Sequence, residues 1–546
     1  MHEEDVPVLV VGGSLVGLST SLFLASHGVP SLVVERHHGT AIHPRAAFIL
    51  QRTIETYRSV GLEKAISVAA AQEFIQNGAI MSVESLGGRE IEWYFRNIND
   101  GVEDLSPSRR LFFTQIGLEP ILRHRAEELG ARVQYASEVV SIEADAGGIT
   151  AVVQDRDSGE QRRVHARYVV AADGARSPVR ERLGISMCGH GTFSNSITIY
   201  FRADVRELIG DRVLSVVYVF HPELQGFFRF SIDGDAGFLV VNTTVDANGQ
   251  RSRNVAEDAS NERCIEYVRL ALGASDLPVE IEAVQHWSSI ADWAERFQEG
   301  RVLLVGDAAH VMPPTGGYGG NTGIHDAHNL AWKLALVLDS VAGPDLLATY
   351  DAERRPVASF TVEQAYTRYV LRLDPELDNA NLVPIVDDAT IDLGYRYRST
   401  AVVGKPDDDD GADREDPHKP SGRPGFRAPH VVVERDGTPL STLDLMGKGF
   451  VLFAGADAES WCRAGRAAGQ RLGVQLDAYT VGESSELAER SGRFAEAYGT
   501  GTQGATLVRP DGFIAWRSRS ADRDDEQVLT DVLAQVLSRS LPAQAS

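Results

Sequence analysis

The segment that most restricts how this chain can fold is Arg301 to Lys333, RVLLVGDAAHVMPPTGGYGGNTGIHDAHNLAWK. A short apolar run, Val302 to Val305, stops at Gly306-Asp307, a loop with Pro313, Pro314 and four glycines follows, and an amphipathic helix begins near Thr322. Strand, tight loop and helix start in that order aim several backbone N–H groups and the positive end of a helix dipole at one point, which suits a phosphate or another anion. Asp307 adds an acceptor for a hydroxyl group. Alone, Gly-Asp would be an ordinary turn; its setting in so Gly- and Pro-rich a loop argues for ligand binding.

A matching unit opens the chain. Pro7 to Val11 is an apolar strand, Gly12-Gly13-Ser14-Leu15-Val16-Gly17 is a turn, Leu18 to His27 is helical, and a second strand, Leu32 to Val34, ends at Glu35-Arg36. This is a β-α-β unit with an acidic residue where a ribose hydroxyl would lie, so Gly12, Gly13, Ser14, Leu15, Gly17, Glu35 and Arg36 are candidate dinucleotide contacts. Ser14 replaces the second glycine of the usual G-x-G-x-x-G and is small enough for close backbone approach. A third signal lies between the two: the apolar run Val169 to Ala172 ends in Asp173-Gly174-Ala175-Arg176-Ser177-Pro178-Val179-Arg180.

These three motifs, in this order, resemble those of the class A flavoprotein monooxygenases, the single-component aromatic hydroxylases of the para-hydroxybenzoate hydroxylase type. The resemblance implies FAD held by the N-terminal unit, by Asp173 and by Asp307, with Arg45 of the HPRA segment over the flavin or its pyrophosphate. It implies Gln115, after the N-cap Thr114, near the flavin side of its loop, and the backbone of Val139 near adenine. Gly317, Gly319, Gly320 and Asn321 would present amides and a helix dipole to the flavin, and Pro314 a carbonyl near the reacting carbons. Without the resemblance, Arg45 reads as a surface arginine and Gln115 as a helix-start side chain.

At 546 residues the chain is too long for one core. Its 43% hydrophobic and 24% charged content is that of an ordinary globular protein, and 53 basic against 77 acidic residues argues against nucleic-acid or anionic-membrane binding. MHEED leads straight into a strand, so no signal peptide is expected, and no apolar stretch is long enough to span a bilayer. Three scattered cysteines, Cys188, Cys264 and Cys462, show no metal or redox spacing and suit a reducing cytoplasm. No metal site is expected.

From His190 to His286 strand signals dominate, and one face is expected to carry Tyr218, Phe220, Phe228 and Phe230 toward a flat ligand. Tyr218 and Phe228, with Tyr369 on a later helix (Asp351 to Leu373), are the substrate candidates. Arg372 on that helix is a candidate phenolate partner or proton donor; the plainer reading is a surface ion pair. After the acidic run Asp407 to Asp416 and a Pro-rich connector, the last part reads as a thioredoxin-like pattern without Cys-x-x-Cys. With such an appended domain, the chain resembles the bacterial aromatic polyketide hydroxylases (anthracycline, angucycline and tetracenomycin types) over essentially its whole length.

The expected fold is therefore α/β. A Rossmann-like FAD-binding domain takes residues 1–75, 101–188 and 285–400; an antiparallel-sheet substrate domain takes 76–100 and 189–284; a thioredoxin-like domain takes 417–546. The expected function, implied by the resemblance, is FAD- and NAD(P)H-dependent hydroxylation of a polycyclic aromatic polyketide through a flavin C4a-hydroperoxide, with O₂ as co-substrate and NADPH or NADH visiting transiently. Baeyer–Villiger oxidation, antibiotic inactivation, a non-catalytic flavoprotein and a homodimer all stay open at this level.

Overall fold

The computed structural model describes residues 2–42, 47–145, 147–245, 250–377, 381–404, 409–520 and 525–540. Three sheets organise it. The first is built on parallel strands in the order Val302–Leu304, Gln161–Ala171, His2–Val11, Ser31–Val34, Arg132–Gln134. The N-terminal strand is central, pairing in parallel with Gln161–Ala171 on one side and Ser31–Val34 on the other. Both faces of a parallel sheet are covered, which is why these strands read as unbroken Val and Leu runs. Helix Leu15–Ser26 is buried on nearly every side, between helices Tyr318–Leu338 and Gln115–Glu128.

The topology puts the motifs together. Val11 leads to Gly12, Val34 to Glu35, Ala171 to Asp173, and Leu304 to Gly306-Asp307, so all four leave the carboxyl edge of one parallel sheet. That edge, where strand order switches about the central strand, is where ligands bind in open α/β sheets.

The second sheet has nine strands, almost all antiparallel, and includes Ala79–Val83, Glu90–Phe95, Met187–Arg202, Leu214–His221, Leu224–Phe230, Ala236–Val245 and Glu280–Ala294. His310–Val311, from the Gly-Asp loop, pairs with its last long strand and ties it to the first sheet. Helix Asn261–Leu272 covers one face. The 26-residue helix Ala348–Leu373 packs on the other.

The third sheet has seven strands, with Phe450–Gly455 and Leu476–Gly482 parallel at its centre, and helices Glu459–Leu472 and Asp525–Val536 packed together. Burial pushes the Cys462 thiol up to about 11, the opposite of what a redox cysteine needs. This sheet joins the rest through buried charge. Glu353 accepts from Lys333 Nζ (2.7 Å), Asn329 Nδ2 (2.8 Å), Ser399 Oγ (2.6 Å) and both terminal nitrogens of Arg509 (2.6 and 2.9 Å), while Arg509 also pairs with Asp511. Two cations face two carboxylates with no exposure to water. Arg427 pairs with Glu55 in the same way, and a further buried pair, Arg354 with Asp326, links helices Ala348–Leu373 and Tyr318–Leu338.

Two stability predictions follow from these buried groups. Arg509→Ala leaves Glu353 and Asp511 buried without their main counter-charge, a loss of about 3–5 kcal/mol; thermal unfolding should show a clear drop in midpoint, and an unchanged midpoint would refute it. His328 is buried beside Phe23, and burial pushes its pKa from 6.5 down to about 3. The unfolded chain then takes up a proton that the folded one refuses, so this contribution is full above pH 6.5 and is lost as pH falls toward 3. Asp392, pushed up to about 7 by burial, works the other way and favours the fold at low pH. His328→Gln should therefore flatten the acid limb of the melting-temperature profile relative to the parent protein.

Candidate active site

The turn after the first strand is set by backbone contact. Gly12 has φ +104°, and a Cβ there would lie 2.3 Å from the carbonyl oxygen of Ala172, so only glycine lets the first and third motifs' strands approach. Gly13 N donates to Glu35 Oε2 (2.7 Å), which holds the Glu35 carboxylate at the end of its strand. Ser14 does more than fill a glycine position: its hydroxyl donates to Glu119 Oε1 (2.7 Å) and accepts from Gln115 Nε2 (2.6 Å). Glu119 is completely buried and also accepts from Ala41 N (2.6 Å). Its link to Ser14 could not be foreseen, although its position four residues after Gln115 puts both on one helix face. Ser14 makes no side-chain cap to the helix starting at Leu15, so that helix's first amides stay available for an anion.

Asp173 uses both carboxylate oxygens within its own motif, accepting from Ser177 Oγ (2.5 Å) and Val179 N (3.0 Å), and so fixes the start of helix Pro178–Arg182. Arg180 Nη1 then donates to the carbonyls of Ala175 and Ala308, each at 3.1 Å, locking this motif to the Gly-Asp loop. Gly306, at φ +58°, sits against Val16, so all three motifs touch. Asp307 is exposed beside them.

The loop closes with Gly317 N donating to Pro314 O (3.0 Å), and helix Tyr318–Leu338 begins from the left-handed Gly317 with no side-chain cap. Gly319 and Gly320 lie in its half-buried first turn, and Pro314 is exposed. Asn321 departs from expectation in how it acts. Its Nδ2 donates to Phe48 O (2.9 Å) and Gly317 O (2.7 Å), and its Oδ1 accepts from Leu50 N (3.0 Å) and Thr53 Oγ1 (2.7 Å). The side chain is saturated by protein and clamps residues 48–53 to the loop. Arg36 is exposed, Leu15 is buried at the helix start, and Val139 packs in the core with its carbonyl toward Arg182. Arg45 lies outside the described residues.

Opposite the loop stands the second sheet. Tyr218 pairs with Phe227 and Val217 with Phe228, so Tyr218 and Phe227 share one face and Phe228 lies on the other. This corrects the expected aromatic face. Phe228, fully buried, stacks on Phe230 and packs with Tyr267 and Val268 of the covering helix, where no substrate reaches it. The face toward Tyr369 carries Tyr218, Phe220, Phe227 and Tyr94 instead. Arg372 holds its guanidinium over the Tyr94 ring at 5.1 Å. Burial raises the pKa of the Tyr218 phenol, and Arg372 beside it opposes that rise.

Arg229 was not foreseen. It points from the same face into a sandwich between the rings of Phe74 (4.0 Å) and Phe112 (4.3 Å), donates to Ala47 O (2.9 Å), and is pushed down to about 9 by burial. Among the described residues no group of three His, Cys, Asp or Glu could hold a metal ion, and no helix is long and apolar enough to cross a membrane.

The site's features fit FAD. Two uncapped helix starts, an acidic strand end and a glycine turn stripped of side-chain bulk meet the needs of a pyrophosphate, a ribose and a flat anionic ring. An FAD-binding-domain family model matches residues 5–365, and an aromatic-ring hydroxylase C-terminal model matches residues 421–540. The chain is 51% identical to 4-methyl-5-nitrocatechol 5-monooxygenase of a Burkholderia species, covering 98% of each chain. It is 40% identical to aklavinone 12-hydroxylase RdmE of Streptomyces purpurascens, covering 99% of this chain and 100% of that one. A ternary complex of aklavinone-11 hydroxylase with FAD and aklavinone superposes with a TM-score of 0.92 at 39% identity, over 99% of this chain and 100% of that one. The chain therefore belongs to the FAD-dependent aromatic-ring monooxygenases.

Proposed function

We propose that this enzyme hydroxylates a polycyclic aromatic polyketide in antibiotic biosynthesis, using NADPH or NADH as reductant and O₂ as co-substrate. The observation that carries the reading is an aromatic wall, Tyr218, Phe227 and Tyr94, with the Arg372 guanidinium over its Tyr94 ring, on the sheet to which the Gly-Asp loop adds strand His310–Val311. Bound FAD supplies the redox chemistry: reduction by a nicotinamide, then activation of O₂ for transfer of one oxygen atom.

The chain's own residues do the rest. Gly12, Gly13, Ser14, Leu15 and Gly17 form the turn and helix start for the pyrophosphate, Glu35 and Arg36 flank the ribose, and Asp307 accepts from a hydroxyl of the ribityl chain. Gly317 sets the helix start by bonding Pro314 O and Asn321 holds that turn to residues 48–53, so the free first-turn amides, those of Gly319 and Gly320, would stabilise negative charge on the flavin ring from the positive end of the helix. Gln115 and Asp173 act at one remove, by fixing Ser14 and Arg180. The Pro314 carbonyl accepts a hydrogen bond from a phenolic hydroxyl of the substrate, Arg372 favours the phenolate, and Tyr218 and Tyr369 pack against the rings and exclude water. A cytoplasmic location belongs to the same proposal, because NADPH and NADH are regenerated there.

One observation favours a second reading. The relative at 51% identity is named for a single-ring nitrocatechol, so the ring count of the substrate separates the two. The test is NADPH oxidation and product mass with a panel of naphthacenequinones set beside 4-methyl-5-nitrocatechol; gain of one oxygen atom by a polycyclic compound supports the first reading, and turnover of the nitrocatechol alone overturns it. Asp307→Ala should be purified with less flavin; full FAD content would remove Asp307 from the cofactor site. Arg372→Ala should keep its FAD yet lose product formation by roughly 10²-fold, with NADPH diverted to H₂O₂, and unchanged coupling would exclude a role in the reaction.

A further inference from the structure

At one end of the aromatic wall the face of the sheet turns polar. Ser194 and Ser196 on strand Met187–Arg202, Asn242 on strand Ala236–Val245 and Ser289 on strand Glu280–Ala294 are at most 3% exposed, and Tyr369 of the long helix, fully buried, lies over them. Ser194 stands directly opposite Ser289 in the ladder. Their mutual bonds are few: Ser194 Oγ lies 3.2 Å from Ser196 Oγ and 3.1 Å from the carbonyl of Asn242, and Asn242 Nδ2 donates to Ser196 Oγ at 3.2 Å.

Three polar atoms in this cluster lack a hydrogen bond of good geometry, Asn242 Oδ1, Ser289 Oγ and Tyr369 Oη, although the Ser194 and Ser289 hydroxyls lie near enough to the Tyr369 phenol to oppose the rise in its pKa that burial causes. Buried polar groups are nearly always paired, so three orphans on one face within one cluster mark a place where something polar is received. The surroundings indicate what. Phe193 meets the Tyr369 ring edge-on at 4.9 Å and packs in one apolar cluster with Met312, which precedes Pro313-Pro314. Tyr369 itself belongs to the aromatic wall with Tyr218 and Phe227. Phe193 and Ser194 also line an open cavity of about 530 Å³. The orphans thus lie where the aromatic wall ends, one side chain from the loop that carries Pro314.

We propose that Asn242, Ser289 and Tyr369 form a specificity subsite that hydrogen-bonds an oxygen-bearing edge of the aromatic substrate, a ring carbonyl beside a phenolic hydroxyl, and so sets which ring is presented for oxidation. The chemistry matches in number and kind. Asn242 Oδ1 can only accept and takes a hydrogen bond from the phenolic hydroxyl, while the serine and tyrosine hydroxyls can donate to a carbonyl. A ring lacking these oxygens would leave all three buried groups unmet, the arrangement that discriminates most sharply between analogues. This deepens the polycyclic reading above and rests on it.

The test titrates the FAD-loaded enzyme with 1,8-dihydroxyanthraquinone and with unsubstituted anthraquinone, following the flavin absorbance change on binding. The parent enzyme should prefer the dihydroxy compound by roughly tenfold or more. Tyr369→Phe and Ser289→Ala, which remove one oxygen each, should each erode that preference by roughly three- to tenfold, through weaker binding of the dihydroxy compound with FAD content unchanged. An unaltered preference in both variants would mean that the cluster holds only water, and overturns the subsite. Binding of neither anthraquinone by the parent enzyme overturns the polycyclic reading instead. The same two variants are then titrated with 4-nitrocatechol against catechol, where an unaltered ratio overturns the subsite.

Discussion

The structure depends on how closely backbone can approach backbone at the carboxyl edge of one parallel sheet. Gly12 lies against the carbonyl of Ala172, and Gly306 against Val16, so three chain segments that are far apart in sequence meet with no room for a side chain between them. A single added methyl group at Gly12 would meet a carbonyl oxygen at 2.3 Å. That crowding leaves amides rather than side chains facing the ligand, and amides at a helix start carry a fixed positive field that costs no reorganisation. Arg180 secures the arrangement from behind by bonding the carbonyls of Ala175 and Ala308.

Once that edge is fixed, the second sheet is placed by the same chain. His310–Val311 leaves the Gly-Asp loop and pairs directly with Asp292 and Trp293 of the nine-stranded sheet. Helix Ala348–Leu373 then crosses the face of that sheet and delivers Tyr366, Tyr369 and Arg372 from successive turns. Asn321 ties the loop to the chain beside it, since one amide side chain bonds both Gly317 and the segment at Phe48 to Thr53. The cleft's shape is thus set by covalent continuity and a handful of buried bonds.

What could be read from sequence divides along the same line. The three motifs were legible because their constraints are local: glycine where a turn needs it, an apolar run before it, an acid after it. Thr114 as the N-cap of its helix is of the same kind, and its hydroxyl does accept from Gly117 N. Phe228 was misplaced because the parity of one strand relative to its neighbour depends on the hairpin between them, and a one-residue slip exchanges faces. Nothing near Phe228 in sequence says that Val217, and not Tyr218, stands opposite it. Glu119 and Arg229 were invisible for a related reason, since their partners, Ser14 and Ala47, lie more than 100 residues away. Asn321 was recognised as belonging to the loop, but four bonds to protein had to be seen before its side chain could be taken out of the ligand's reach.

The third sheet raises a question that its lost dithiol does not answer: why a hydroxylase should carry a thioredoxin-like domain with a buried, high-pKa cysteine and no partner thiol. The buried charges supply a physical reason. Glu353 binds Lys333 and Asn329 of the helix that begins at the Gly317 loop, and Arg509 of the third sheet completes its coordination. Asp326, on the same helix, holds Gly306 N and His310, and is held in turn by Arg354. The domain therefore grips, through Glu353 and its own Asp511, which accepts from Asn329 Nδ2 at 3.1 Å, the helix whose other end presents its amides to the cofactor. A helix transmits such a constraint along its length with little loss, because its hydrogen-bonded turns cannot slide independently. Redox chemistry on this domain would have required an exposed thiolate, whereas what the fold preserves is an arginine reaching into another domain's core.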